Sequence, residues 1–137
     1  MAEAFFKAEC AKQGLDAEAS SSGLMAFAGV TPSMETVAAM KDAGVNVEGH
    51  EANPLKPLDL VASDWVVVMS VSQKEAITRK LPGMKAKIKT LHEAAGVEAG
   101  EIPDPTDEGE DVLKKVRDDI KNLVAGLVGR LKTGPLK

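Results

Sequence analysis

Trp65-Val66-Val67-Val68-Met69 is an unbroken apolar run between Asp64 and Ser70. A strand with one wet face alternates apolar and polar side chains. A strand with no alternation needs apolar cover on both faces, which is the setting of a parallel strand between two layers of helices. The valines add the β-branched shape that packs well on a pleated, enclosed surface. The run therefore predicts a layered α/β fold.

The flanking segments supply the helices that such a strand requires. Met1, Ala4, Phe5, Ala8 and Ala11 form one helical stripe, widened by Phe6 and Cys10, with Gly14 placed as a C-terminal cap. Residues 15–22 read as a weak strand of small residues that Gly23 ends. Thr31 as N-cap and Pro32 at the first helical position open a helix that turns Val37 and Met40 inward and stops at Gly44. Residues 56–63 suggest a short helix after Pro57. Beyond the valine run, Ser72 and Glu75 have capping-box spacing for a helix that Pro82-Gly83 terminates.

Residues 85–91 read as a second strand, and residues 96–109 as a loop rich in acidic residues, proline and glycine. Leu113, Val116, Ile120, Leu123, Val124, Leu127 and Leu131 then repeat at helical spacing over about five turns. No repeat or linker divides the chain. The expected architecture is a single domain spanning residues 1–137, three-layered, with a parallel sheet.

Composition narrows the function. A net charge of -4 and a pI near 5.2 argue against the broad basic face that nucleic acid binding needs. No apolar run approaches a membrane span, and the first ten residues lack the basic-then-apolar order of a signal peptide, so a cytoplasmic protein is expected. The single cysteine, Cys10, precludes an internal disulfide framework or a cysteine-rich metal site. His50 and His92 lack metal-ligand spacing, the acidic run from Asp107 to Asp111 reads as a solvated helix start, and Trp65 reads as core. No cofactor or metal is expected.

Five pieces, in order, resemble the low-molecular-weight protein tyrosine phosphatase family of bacterial type, with its protein-arginine phosphatase and arsenate reductase relatives. Met1 to Glu9 is similar to the helix that follows the family's phosphate-binding loop. Ser21-Ser22-Gly23-Leu24 stands where the family has Ser-Ala-Gly-Thr, and Ala43-Gly44-Val45 is followed by His50. Ser63-Asp64 and the run from Trp65 to Met69 look like the family's Ala-Asp-x-Ile-x-x-Met strand, and Ile102-Pro103-Asp104-Pro105 is similar to its acid loop. The arsenate reductase branch would need further cysteines, which this sequence does not contain.

The resemblance implies hydrolysis of a phosphomonoester, small or on a phosphoprotein, through a cysteinyl-phosphate. It implies that Asp104 is the general acid/base, protonating the leaving oxygen and then deprotonating the attacking water. The nucleophile and the phosphate fork would belong to a Cys-x5-Arg loop, which is not found in these 137 residues. Asp16, not arginine, lies six positions beyond Cys10, and Cys10 sits mid-helix, where a buried small hydrophobe is the plain reading. Arg79, Arg117 and Arg130 all fall at helical positions. Thr106 and Asp107 replace the aromatic that usually follows the family's Asp-Pro, a departure at the substrate-flanking position.

The sequence is thus expected to be an N-terminally truncated phosphatase-like chain, inactive by itself. The alternative is a non-catalytic remnant of the same fold that binds or regulates a protein partner. In the resembled fold the first strand lies centrally, so its loss should drive altered strand pairing, with the remaining halves of the sheet closing together, or self-association through exposed sheet edges.

Overall fold

The structure, a computed structural model, describes residues 1–137 apart from Met25, Ala99 and Lys137. The valine run forms strand β1, Val66–Val68, which pairs in parallel with β2, Ile88–Thr90, in the register Val66 to Ile88, Val67 to Lys89 and Val68 to Thr90. Because side chains alternate along a strand, the two faces of this pair meet different partners. Val66, Val68 and Ile88 are buried with Leu60, Ile77 and Met84. Those come from helix α3 (Pro57–Ala62), helix α4 (Val71–Lys80) and the 3-10 segment Pro82–Lys87.

Val67 faces the other way, against a larger cluster that includes Phe5, Met40, Leu91, Ala94, Ile120, Val124 and Val128. These residues belong to α1 (Ala2–Gln13), α2 (Met34–Asp42), α5 (Leu91–Ala95) and α6 (Glu110–Thr133). Helices therefore cover both faces of the strand pair, as the unalternating run requires. α6 turns Leu113, Val116, Ile120, Val124, Leu127 and Val128 inward, while Leu123 and Leu131 of the expected stripe sit at the margin of the same core.

Several boundaries differ from the sequence expectation, each for a local reason. α2 starts at Met34 rather than Pro32, because the Ser33 hydroxyl accepts the Thr36 N–H at 3.2 Å and so takes the N-cap role from Thr31. The N-cap of α4 is likewise two residues earlier than Ser72: the Ser70 hydroxyl accepts the Gln73 N–H, and the Gln73 side chain accepts the N–H of Met69, the residue before the cap, at 2.9 Å. The second strand is shorter than residues 85–91. Pro82 starts a 3-10 turn on one side, and Thr90 closes a full capping box with Glu93 on the other, opening α5 where only strand and loop were expected.

Residues 15–22 do not form a strand; most are exposed, and Ala17, Ala19 and Ser20 to Ser22 offer little apolar area to bury. The nearest pairing is one parallel bridge between Gly23 and Pro54. Among the described residues, this bridge and the β1–β2 pair are separate. The expected closure of the two halves onto each other is therefore not the arrangement observed. The apolar cover on β1 comes from helices, and side-chain packing of this kind does not depend on a second ladder.

The turn after α5 shows how α6 fixes the sheet layer. Arg130 Nη1 donates to the Glu93 and Ala94 carbonyls at 3.0 and 2.9 Å, satisfying acceptors that the end of a helix leaves open. Gly96, at φ 77°, makes this approach possible, since a Cβ there would lie 3.0 Å from the Arg130 side chain. Gly96→Ala is expected to cost roughly 1 to 2 kcal/mol, from left-handed strain and a displaced guanidinium. Urea unfolding would measure it, and a midpoint equal to wild type would show that Arg130 yields freely.

Candidate active site

The loop that carries Asp104 is tied to the carboxyl end of β1. The Ile102 N–H donates to the Met69 carbonyl at 2.9 Å, and the Ile102 side chain is buried in the α1–α6 core. Glu101 accepts the Val71 N–H at 2.8 Å, tying the loop to the first turn of α4. These two anchors tie the segment just before Asp104 to the carboxyl end of β1, the side of a parallel sheet on which ligands bind.

Asp104 is exposed, and its carboxylate is held locally. Oδ1 accepts both the Thr106 hydroxyl, at 2.6 Å, and the Thr106 N–H, at 3.0 Å. These two hydrogen bonds to the charged form hold the carboxyl below the usual aspartate range, against a small opposing effect of burial. The Glu108 N–H then donates to the Pro105 carbonyl, and Asp107 takes φ 61° to make that turn, a conformation aspartate tolerates better than most residues.

Met1 is the N-cap of α1, and an open groove of about 540 Å³ runs beside the first turns of that helix. Met1, Glu3, Lys7, Val30, Asn46 and His50 line this groove; Asp104 is not among its described lining residues. Glu3 Oε2 lies 3.3 Å from His50 Nδ1 and Glu3 Oε1 lies 3.6 Å from Lys7 Nζ. His50, given no role from sequence, thus joins the loop after α2 to α1.

Cys10 behaves as a core residue. It is 5% exposed on the inner face of α1, and burial, with the nearby Glu9 charge, pushes its thiol up, away from the thiolate a nucleophile needs. Two of the three arginines are committed elsewhere: Arg130 caps α5, and Arg117 donates to the Ala39 carbonyl at 2.9 Å and to Asp118. Arg79 lies in the last turn of α4. Trp65 is half-buried against the larger core with Lys89 Nζ 5.7 Å from its ring centre, in keeping with the core reading. Among the described residues no group of three or more acidic, histidine or cysteine side chains is placed to hold a metal ion.

Sequence reasoning singled out Asp104 from the family resemblance and did not anticipate its hydrogen-bond partner Thr106. The signal was present, because an aspartate two residues before a threonine has the spacing at which a side chain accepts from the backbone two positions on. The Ile102–Met69 bond and the Glu101–Val71 bond carried no such signal.

This arrangement can be set beside known proteins. The profile of the family described as low molecular weight phosphotyrosine protein phosphatase matches residues 1–135. A protein-arginine-phosphatase of Bacillus subtilis is 27% identical over 132 residues, covering 96% of this chain and 87% of that protein. The crystal structure of a YwlE mutant from Bacillus subtilis superposes with a TM-score of 0.90 at 27% identity, over 96% of this chain and 88% of that one. The low molecular weight protein tyrosine phosphatase from T. tengcongensis gives 0.87 at 32% identity, over 94% and 88%. Profile, identity and fold agree, and the chain belongs to the low molecular weight phosphotyrosine protein phosphatase family.

Proposed function

We propose that these 137 residues are the scaffold and the acid/base part of a protein phosphatase acting on phosphoarginine or phosphotyrosine, and that by themselves they do not turn over. The observation that carries the reading is Asp104 on a loop anchored by Ile102 to the carboxyl end of β1, in a chain of this family. In the reaction, a thiolate attacks phosphorus, an S–P bond forms, and the bond to the leaving oxygen or nitrogen breaks as Asp104 gives that atom its proton. Water then attacks the cysteinyl-phosphate, Asp104 takes a proton from it, and the S–P bond breaks to release phosphate and thiolate.

Two parts of that chemistry have owners here and one does not. Asp104 supplies the proton, and the first turn of α1 supplies free N–H groups and the positive end of a helix dipole for the phosphoryl oxygens. A nucleophile has no owner, because Cys10 is buried, lies mid-helix and carries a raised thiol pKa. The relatives named as arginine phosphatases support the phosphoarginine side of the reading. Thr106, in place of an aromatic, removes a flat face that would flank a phosphotyrosine ring.

The test is hydrolysis of an aryl phosphate by the 137-residue chain beside a version preceded by a family-like strand and Cys-x5-Arg loop. Activity in the second alone is the expected result. Turnover by the shorter chain would overturn the assignment of inactivity. A longer version that folds, as judged by a cooperative melt, yet hydrolyses neither aryl phosphate nor phosphoarginine, would overturn the phosphatase reading.

One observation favours the second reading, a non-catalytic protein-binding module. The 16 residues at positions 19–34 contain no charged side chain, and Phe27 and Met34 within them are 81% and 86% exposed. Exposed apolar groups gathered on one segment are a common mark of a protein contact. Self-association through sheet edges belongs with this reading, and a concentration-independent monomer in sedimentation would count against it.

A further inference from the structure

We infer that Thr106 is the positioning residue of the proposed general acid: its hydroxyl and its N–H both donate to Asp104 Oδ1, which pins that oxygen and leaves Oδ2 to carry the proton. The inference rests on Asp104 having the acid/base role given above. Two donors converging on one oxygen fix the carboxylate plane in a loop that is otherwise exposed. A proton added to Oδ1 would break the 2.6 Å bond or force the hydroxyl to turn, so protonation is directed to Oδ2.

The same contacts set when the group is charged. Both bonds favour the carboxylate, so the proton leaves Asp104 at lower pH than it leaves an ordinary aspartate. Burial opposes this effect and is outweighed by it. Glu101, Asp107 and Glu108 are the charged residues nearest in sequence on the loop, Glu101 is engaged by the Val71 N–H, and among the described residues no cation lies within ion-pair distance of Asp104. The ionised form suits the second half of the reaction, in which the group must accept a proton from water. The protonated form, needed in the first half, is confined to lower pH. Thr106 thereby trades the protonated fraction at neutral pH for a fixed base.

The carbon-13 signal of the Asp104 carboxyl in the 137-residue chain, followed against pH, tests this without turnover. In wild type the midpoint should lie below that of an unperturbed aspartate. Thr106→Val, which removes the hydroxyl but keeps the shape and the N–H, should move it up, and Thr106→Ser should leave it low. An unchanged midpoint in Thr106→Val, or an equal rise in Thr106→Ser, would overturn the inference. In the loop-bearing version the alkaline limb of the rate profile should move to higher pH in Thr106→Val and stay in place in Thr106→Ser. A hydroxyl-dependent midpoint in a protein whose loop-bearing version hydrolyses nothing would overturn the phosphatase reading alone.

Discussion

In the loop-bearing version of the chain, Asp104→Asn lowers kcat on phenyl phosphate by about 100- to 10,000-fold, the span that a positioned general acid/base contributes. Asparagine keeps the size of the side chain and an oxygen that can accept both Thr106 bonds, so the turn from Asp104 to Glu108 persists. What it removes is the proton. The loss should shrink for aryl phosphates with electron-withdrawing substituents, whose leaving oxygen needs little protonation. It should be absent in Glu108→Gln, which removes a carboxylate from the same exposed loop. Equal losses in the two variants would mean that loop charge matters and Asp104 has no special part. The dependence on leaving group separates proton donation from mere support, because a loosened loop would slow every substrate alike.

Ile88→Ala is expected to destabilise the chain by about 2 to 5 kcal/mol. Ile88 is 1% exposed, pairs with Val66 across the parallel ladder, and packs with Leu60, Val68, Ile77 and Met84. Removing its outer carbons leaves a cavity between a strand and the helices that cover it, where neither side can close without moving the ladder. Domains are stable by only about 5 to 15 kcal/mol, so one residue here accounts for a large share. Val112→Ala is the contrast: Val112 is 38% exposed at the start of α6, and its truncation should stay within about 0.5 kcal/mol. Similar urea midpoints for the two variants would show that the Ile88 cluster is not a packed core.

The two predictions draw on opposite ends of β1, and this explains how the site is supported. The Ile88 cluster holds the strand pair against α3 and α4, and the Met69 carbonyl, one residue past β1, carries the acid loop through Ile102. Loosening the first should therefore displace the second, whereas Asp104→Asn leaves the frame intact. In the loop-bearing version, activity lost in Ile88→Ala should return as temperature is lowered toward the range where the variant is folded, and activity lost in Asp104→Asn should not.

Much of this molecule could be read without coordinates wherever a local rule had no competitor. The valine run implied helical cover on two faces, and the clusters on either side of β1 supply it. The α6 stripe was legible because one face of a long helix must be apolar to be buried, and Gly14, Gly44 and Pro82 marked ends that only a turn could accommodate. The role proposed for Asp104 came from the order of five motifs along the chain, a family likeness and not a property of the loop itself.

Where two local solutions competed, tertiary context chose between them. Ser33 and Thr31 could each cap α2, as Ser70 and Ser72 could each cap α4, and the register that buries Met40 and Ile77 decided for Ser33 and Ser70. Residues 85–91 had the composition of a strand, but Thr90 gained more by closing a capping box, so only Ile88–Thr90 stayed in the ladder. Residues 15–22 had strand-like spacing but too little apolar area to be held. The sequence by itself determined the layers and the buried stripes, because burial and helix termini are short-range demands written in residue type. The three-dimensional packing alone decided which strands pair and what anchors the loop that carries Asp104, because hydrogen bonds between distant segments depend on where the layers bring their ends.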